Sequence, residues 1–190
     1  SFKQAKDIIK EYSTGTTEPK RNIDHNYKSE IIYQPGTGLL TEKAKQYLIS
    51  RRFDPDKLVS EWGLLSTNHL GNYKFRILAP IYLYNKLISY QCRDITGQHS
   101  SPYMGCPIEE SVYFLKYTLY GFDKAVVRKQ IIIVEGITDS WRLGPGACAT
   151  FSINFMPQQV LLLAKHFEKI FILYDSEEQA QAQADKLYHQ

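Results

Sequence analysis

Two short, unbroken apolar runs in this chain each end in acid. Ile131-Ile132-Ile133-Val134 stops at Glu135-Gly136, and Ile170-Phe171-Ile172-Leu173-Tyr174 stops at Asp175-Ser176-Glu177. Continuous apolar runs rich in β-branched residues predict fully buried parallel strands. Open parallel sheets take their ligands at the carboxyl ends of the strands. Glu135, Asp175 and Glu177 are therefore expected at one rim. Clustered carboxylates repel one another unless a cation or protons compensate. A divalent metal site is the expectation, and magnesium in such sites keeps waters for substrate phosphates.

The pattern around these runs supports a sheet. After Gln130 the chain alternates between strand and helix. Strands are expected at 131–134, 147–151 and 170–174, with helices at 138–143, 157–167 and 178–187. This β-α-β-α-β-α order implies a parallel sheet with right-handed crossovers. Gly136 frees the backbone for a tight turn off its strand. Asp139 lies where that turn becomes a helix. It has two readings, a carboxylate at the rim or a helix cap.

The first part of the chain reads differently. Residues 2–12 repeat at helical spacing, and residues 13–38 have loop composition. Thr41 caps an expected helix to Ile49, and Asp54-Pro55 opens another through Trp62. Residues 75–93 read as a hairpin with its turn at Asn85-Lys86. That register places Ile77, Ala79, Ile81 and Leu83 on one face with Ile88, Tyr90 and Cys92. The opposite face would then carry Arg76 and Arg93 close together. Two guanidinium groups there suit phosphate, although each alone reads as a solvated strand charge. The fold class is α/β. An α+β unit with an antiparallel hairpin precedes the parallel sheet. The expected division is 1–38, a basic unit at 39–128, and the parallel unit at 129–190.

Charge and cysteine content narrow the class. Residues 1–128 hold 18 Lys/Arg against 13 Asp/Glu, and residues 129–190 hold 5 against 7. A basic part beside an acidic part suits a phosphate-rich partner, although ordinary surface charge gives the same split. Cys92, Cys106 and Cys148 are scattered without metal-ligand spacing, so no zinc site is expected within these residues. Sparse cysteines and no long apolar run fit a cytoplasmic protein without a membrane partner. The start at Ser1 reads as a piece of a longer chain.

Several segments resemble a known family. Val134-Glu135-Gly136-Ile137-Thr138-Asp139 and Leu173-Tyr174-Asp175-Ser176-Glu177 resemble the two acidic motifs of the Toprim fold. Lys74-Phe75-Arg76-Ile77-Leu78-Ala79-Pro80-Ile81 and Ser89-Tyr90-Gln91-Cys92-Arg93 resemble two strands of bacterial and phage-type DNA primases. Residues 46–63, Tyr103 to Pro107 and Lys116 to Gly121 resemble further primase segments, and the whole covers roughly 40–190. The resemblance implies a core that makes RNA primers from NTPs on single-stranded DNA, with Mg²⁺ or Mn²⁺ and a replicative helicase as partner. It makes Glu135 the catalytic acid and Asp175 and Glu177 metal ligands supported by Asp139. Arg76, Arg93 and Lys116 take the positions that hold nucleotide or template phosphates. Pro102 stands where the family has Lys, and Gln179-Ala180-Gln181 replaces a Gly-containing stretch. A further strand and third acidic site, expected of a Toprim domain, do not occur before Gln190. The competing readings are a non-polymerising nucleic-acid-binding factor and a Toprim nuclease.

Overall fold

The computed structural model describes residues 28–190. The expected helix at 2–12 and most of the 13–38 linker lie outside the described residues. A five-stranded antiparallel sheet is built from β1 (Thr37–Gly38), β2 (Leu65–Thr67), β3 (Arg76–Leu83), β4 (Lys86–Asp94) and β5 (Tyr103–Gly105), in sequence order. Between β1 and β2 run two helices, α1 (Glu42–Ser50) and α2 (Pro55–Trp62). Both begin as expected. Thr41 accepts from the Ala44 N–H, and the Asp54 carboxylate accepts from Asp56 and Lys57 with proline in the first helical turn.

The hairpin departs from the expected register. Its two loop residues are Tyr84 and Asn85, both with positive φ (52° and 63°), so Leu83 faces Lys86. A bulge at Ile81/Tyr82 then shifts the ladder, and Ile77 faces Arg93 while Arg76 faces Asp94. Opposed residues share a face, so Arg76 and Arg93 lie on opposite faces of the sheet. A one-residue difference in parity suffices for that exchange. Ile77, Ala79, Ile81 and Ile88 pack with Leu48, Leu58 and Trp62. Leu78, Tyr90 and Cys92 form a second core with Tyr73 and Cys106 on the other side. Tyr90 and Cys92 thus leave the face where alternation alone would put them.

A short helix, α3 (Phe122–Ala125), leads into the parallel unit. There the order is β6 (Gln130–Val134), α4 (Ile137–Leu143), β7 (Ala147–Ala149), α5 (Pro157–His166), β8 (Lys169–Ile172) and α6 (Glu178–Tyr188). Both pairings are parallel and β6 is central, in the order β7-β6-β8. The face of Ile131 and Ile133 is covered by Leu163, Phe167, Ala180 and Leu187 from α5 and α6. Val134 instead joins the core of α1, α2 and the antiparallel sheet, along with Ile137 and Trp141 of α4. The two sheets therefore share one hydrophobic cluster.

Burial of β8 falls short of expectation. Phe171 is 53% exposed and Leu173 55% exposed. Among the described residues no strand pairs with its outer side, and α5 and α6 pack on part of its other face. β7 also ends early, because Phe151 adopts φ +68° and leaves the strand direction. Among the described residues no helix is long and apolar enough to cross a membrane.

Candidate active site at the carboxyl ends of the parallel strands

β6 ends at Val134 and β8 at Ile172, and the residues that follow bring carboxylates together. The Leu173 N–H still bonds Ile133, so the chain runs on beside β6 to Asp175. The Asp175 N–H donates to Glu135 Oε1 at 2.8 Å. Asp139, at the third position of α4, turns back to accept from the Gly136 N–H at 3.2 Å. Both readings of Asp139 therefore hold at once: it caps α4 and it sits in the cluster. Glu177 is exposed at the start of α6.

The electrostatics follow from this crowding. Burial raises the Glu135 pKa first. The Asp175 N–H opposes that rise, while Asp175, Asp139 and Glu177 add to it. Asp139 is raised by burial and by Asp175, against the Gly136 hydrogen bond and Arg142. The site is short of positive charge, which is the condition that favours a hard cation on oxygen donors. Even so, no three His, Cys, Asp or Glu side chains among the described residues are gathered tightly enough to hold a metal ion. The donors fit a divalent cation in kind. A closed cage is not formed.

Lys116 stands at the same end of the sheet. Its Nζ donates to Ser152 Oγ at 2.7 Å and to the Phe151 carbonyl at 3.4 Å, and burial lowers its pKa. The loop it holds is tied down by Thr150, whose Oγ1 lies 3.3 Å from the Val134 carbonyl and 3.0 Å from the Tyr174 hydroxyl. Phe151 in this loop has a positive φ, a backbone conformation that side-chain-bearing residues rarely adopt.

The two arginines have separate fates. Arg76 is 1% exposed, and its guanidinium donates to the carbonyls of Ser101 at 3.2 Å and Pro102 at 3.5 Å. The expected shared phosphate-binding face with Arg93 is thus corrected: Arg76 holds the loop that enters β5 from inside the protein. Arg93 is half-buried. Its Nε donates to the Tyr47 hydroxyl at 3.1 Å, and its guanidinium lies 4.6 Å above the Tyr103 ring. Burial alone would lower its pKa, but Tyr47 and Tyr103 outweigh that and raise it. The Tyr103 hydroxyl is 3.2 Å from Thr138 Oγ1 on α4. A path of contacts thus runs from Tyr47 through Arg93 and Tyr103 to the helix that carries Asp139. Sequence reasoning gave neither Tyr47 nor Thr138 a role at the site. Only the sheet register reveals this connection.

No protein-family model and no curated protein sequence matches the chain. Solved structures do. One is the catalytic core of DnaG, with TM-score 0.66 and 18% identity, covering 81% of this chain and 60% of that one. The zinc-binding and RNA polymerase domains of Aquifex aeolicus primase match with TM-score 0.65 and 21% identity, covering 77% and 46%. The DnaG primase catalytic domain bound to single-stranded DNA matches with TM-score 0.65 and 18% identity, covering 76% and 57%. The likeness is one of fold: antiparallel sheet followed by parallel sheet, as in primase catalytic cores. The chain spans 46–60% of the length of these three.

Proposed function

We propose that this chain is a metal-dependent primase core that joins NTPs into RNA primers on single-stranded DNA. One observation carries the reading. Glu135, Asp139 and Asp175 converge where β6 and β8 end, in a fold otherwise seen in primase catalytic cores. Glu135, Asp175 and Glu177 would hold Mg²⁺ or Mn²⁺. Such an ion, when bound, neutralises phosphoryl charge and activates the attacking hydroxyl. Asp139 keeps the Gly136 turn in place, so that the Glu135 carboxylate stays at the strand end. Arg93 and Lys116 supply positive charge toward nucleotide or template phosphates. Arg76 serves indirectly, by fixing the loop before Tyr103. Residues 39–128 act as the template-gripping unit and 129–190 as the catalytic one. Double-stranded DNA opened by a replicative helicase, in the cytoplasm of a bacterial or phage-infected cell, is the expected setting.

The second reading is a nucleic-acid-binding factor without polymerisation. It draws on the open carboxylate cluster and on Pro102, whose position carries no cation. Primer synthesis with labelled NTPs on single-stranded DNA, with each metal, separates the two. The primase reading expects product that Glu135→Gln abolishes. Intact DNA binding with no product under either metal establishes the binding reading instead.

A further inference from the structure

The turn between α1 and α2 holds a charged residue in a strained backbone. α1 closes in a Schellman arrangement: the Phe53 N–H bonds the Leu48 carbonyl at 2.9 Å, and the Arg52 N–H bonds the Ile49 carbonyl at 2.8 Å. This closure makes the residue before Phe53 left-handed, and Arg52 has φ +62°. Glycine is the usual residue in that position, and α2 does end on Gly63 at φ +66°. Arg52 is exposed, so no burial offsets the strain. Other arginines stand beside it. The Arg142 guanidinium donates to the Arg51 carbonyl at 3.0 Å and lies 4.2 Å over the Phe53 ring. Arg51 lies 5.8 Å over the Tyr47 ring, and the hydroxyl of the same tyrosine accepts from Arg93. Among the described residues none of these four arginines is ion-paired to a carboxylate. Asp54, the acid nearest to Arg52 in sequence, accepts instead from the N–H groups of Asp56 and Lys57.

We propose that Arg52, Arg51 and Arg142 extend the Arg93 site into a track that holds the phosphates of a nucleic-acid single strand outside the carboxylate rim. Position supports this. Arg142 follows Asp139 by one turn of α4, and its charge opposes the rise that burial imposes on the Asp139 pKa. The track therefore begins beside the rim and runs outward over the end of α1. Charge supports it as well. Like charges gathered without acids repel one another, and a polyanion relieves that repulsion. An exposed cation gains little from one small anion in water, whereas several together gain from a polyanion that sheds its counterions. Guanidinium planes also offer unpaired bases a stacking surface, which favours a single strand. The end of a helix does favour nearby cations, but Arg51 and Arg142 already meet that preference at α1. It gives no reason for arginine rather than glycine at position 52. Strain kept at an exposed charged residue points to a ligand.

This inference rests on the nucleic-acid part of the proposed function and not on polymerisation, and its test uses no metal or NTP. Binding of a labelled single-stranded DNA of about 20 nucleotides is followed by fluorescence anisotropy between about 50 and 200 mM salt. Arg52→Gly relaxes the backbone, so it should raise Tm by about 2–4 °C. It should nevertheless weaken binding about threefold or more, and reduce the slope of log affinity against log salt by about 0.7. Arg142→Gln should weaken binding similarly. Arg52→Lys should keep the affinity and the slope with Tm near wild type, because charge and strain are both retained. Wild-type affinity that Arg52→Gly and Arg142→Gln leave unchanged overturns this inference alone. A Tm that falls in Arg52→Gly also overturns it, since arginine would then serve the fold. An equal loss on duplex of the same length overturns the assignment to a single strand. A wild-type chain that does not bind the oligonucleotide overturns both this inference and the nucleic-acid reading beneath it.

Discussion

The two sheets use polar residues in opposite ways. The antiparallel sheet is covered on both faces, and its polar groups work as internal scaffolding. Arg76, Ser66, Thr67 and Gln91 are all buried there. Thr67 Oγ1 donates to the Tyr73 carbonyl and accepts from the Arg76 N–H, tying strand to loop. Among the described residues the parallel sheet is covered on one face at β8, and its carboxylates gather at an open rim. The Glu135 and Asp139 pKa values are raised, first by burial and then by neighbouring carboxylates, whereas the antiparallel sheet buries a cation among carbonyls. Polar groups are bonded inside one sheet and left at an open end of the other. The comparison predicts that substitutions upstream change stability first, and substitutions at the rim change chemistry first.

The largest effect is expected at Arg76. Arg76→Ala removes a large buried side chain and leaves the Ser101 and Pro102 carbonyls without their donor. Chemical denaturation should show a loss of about 3–4 kcal/mol. A loss under about 1 kcal/mol would put the guanidinium in solvent and break the contrast between the sheets.

Asp123 comes next, at the place where the sheets are fastened together. Its Oδ1 accepts from the Tyr84 N–H at 2.8 Å and its Oδ2 from the Asn85 N–H at 2.6 Å. The hairpin tip is thereby held to α3. Asp123→Ala should cost about 2 kcal/mol, since two charge-assisted bonds to backbone disappear. If the change is neutral, the tip is held by Tyr84 packing on Phe122 and His166 instead.

These cases show what was legible in the sequence. The helices at 42–50 and 55–62 were, because their caps are local: Thr41, Asp54 and Pro55 act within one turn. The parallel unit was, because runs such as 131–134 carry their own pattern. The hairpin register was not. It depends on a two-residue loop at Tyr84-Asn85 and on one bulge, and neither residue pair is a strong turn signal. From that error followed the misplacement of Arg76. Likewise, apolar content marked β8 as a strand and did not say which of its residues would be exposed among the described residues. The apolar runs put Glu135 and Asp175 where the strands end, and spacing put Asp139 near them, as the structure has it; their roles are part of the proposal. The Tyr47–Arg93–Tyr103–Thr138 contacts join four distant segments, and no local pattern announces them.

Arg93 sharpens the comparison because it belongs to the upstream sheet yet faces the rim. Arg93→Ala should lower stability by only about 1 kcal/mol, through lost contact with Tyr47 and Tyr103. Single-stranded DNA or NTP binding should fall more, and with a shallower salt dependence. Unchanged binding with lower stability would return Arg93 to the scaffold.

The smallest effect, and the only one with the opposite sign, is expected at Glu135. In metal-free protein its pKa is raised above the ordinary carboxylate value by burial and by neighbouring acids, despite the Asp175 N–H. A folded state with the higher pKa holds more protons than the unfolded chain through that interval. Stability therefore falls as pH rises from the ordinary carboxylate range through the raised value, and is regained on acidification. Glu135→Gln removes the charge and keeps an oxygen to accept from Asp175. At neutral pH without metal, it should raise Tm by on the order of 1–3 °C. It should also flatten the fall between acid and neutral pH. Added Mn²⁺ should stabilise wild type and not the variant, reversing their order. Thermal melts across pH, with chelator and then with Mn²⁺, give both readouts. A lower Tm for Glu135→Gln without metal would mean that the carboxylate is compensated within the fold, and the rim would lose its claim to be short of charge.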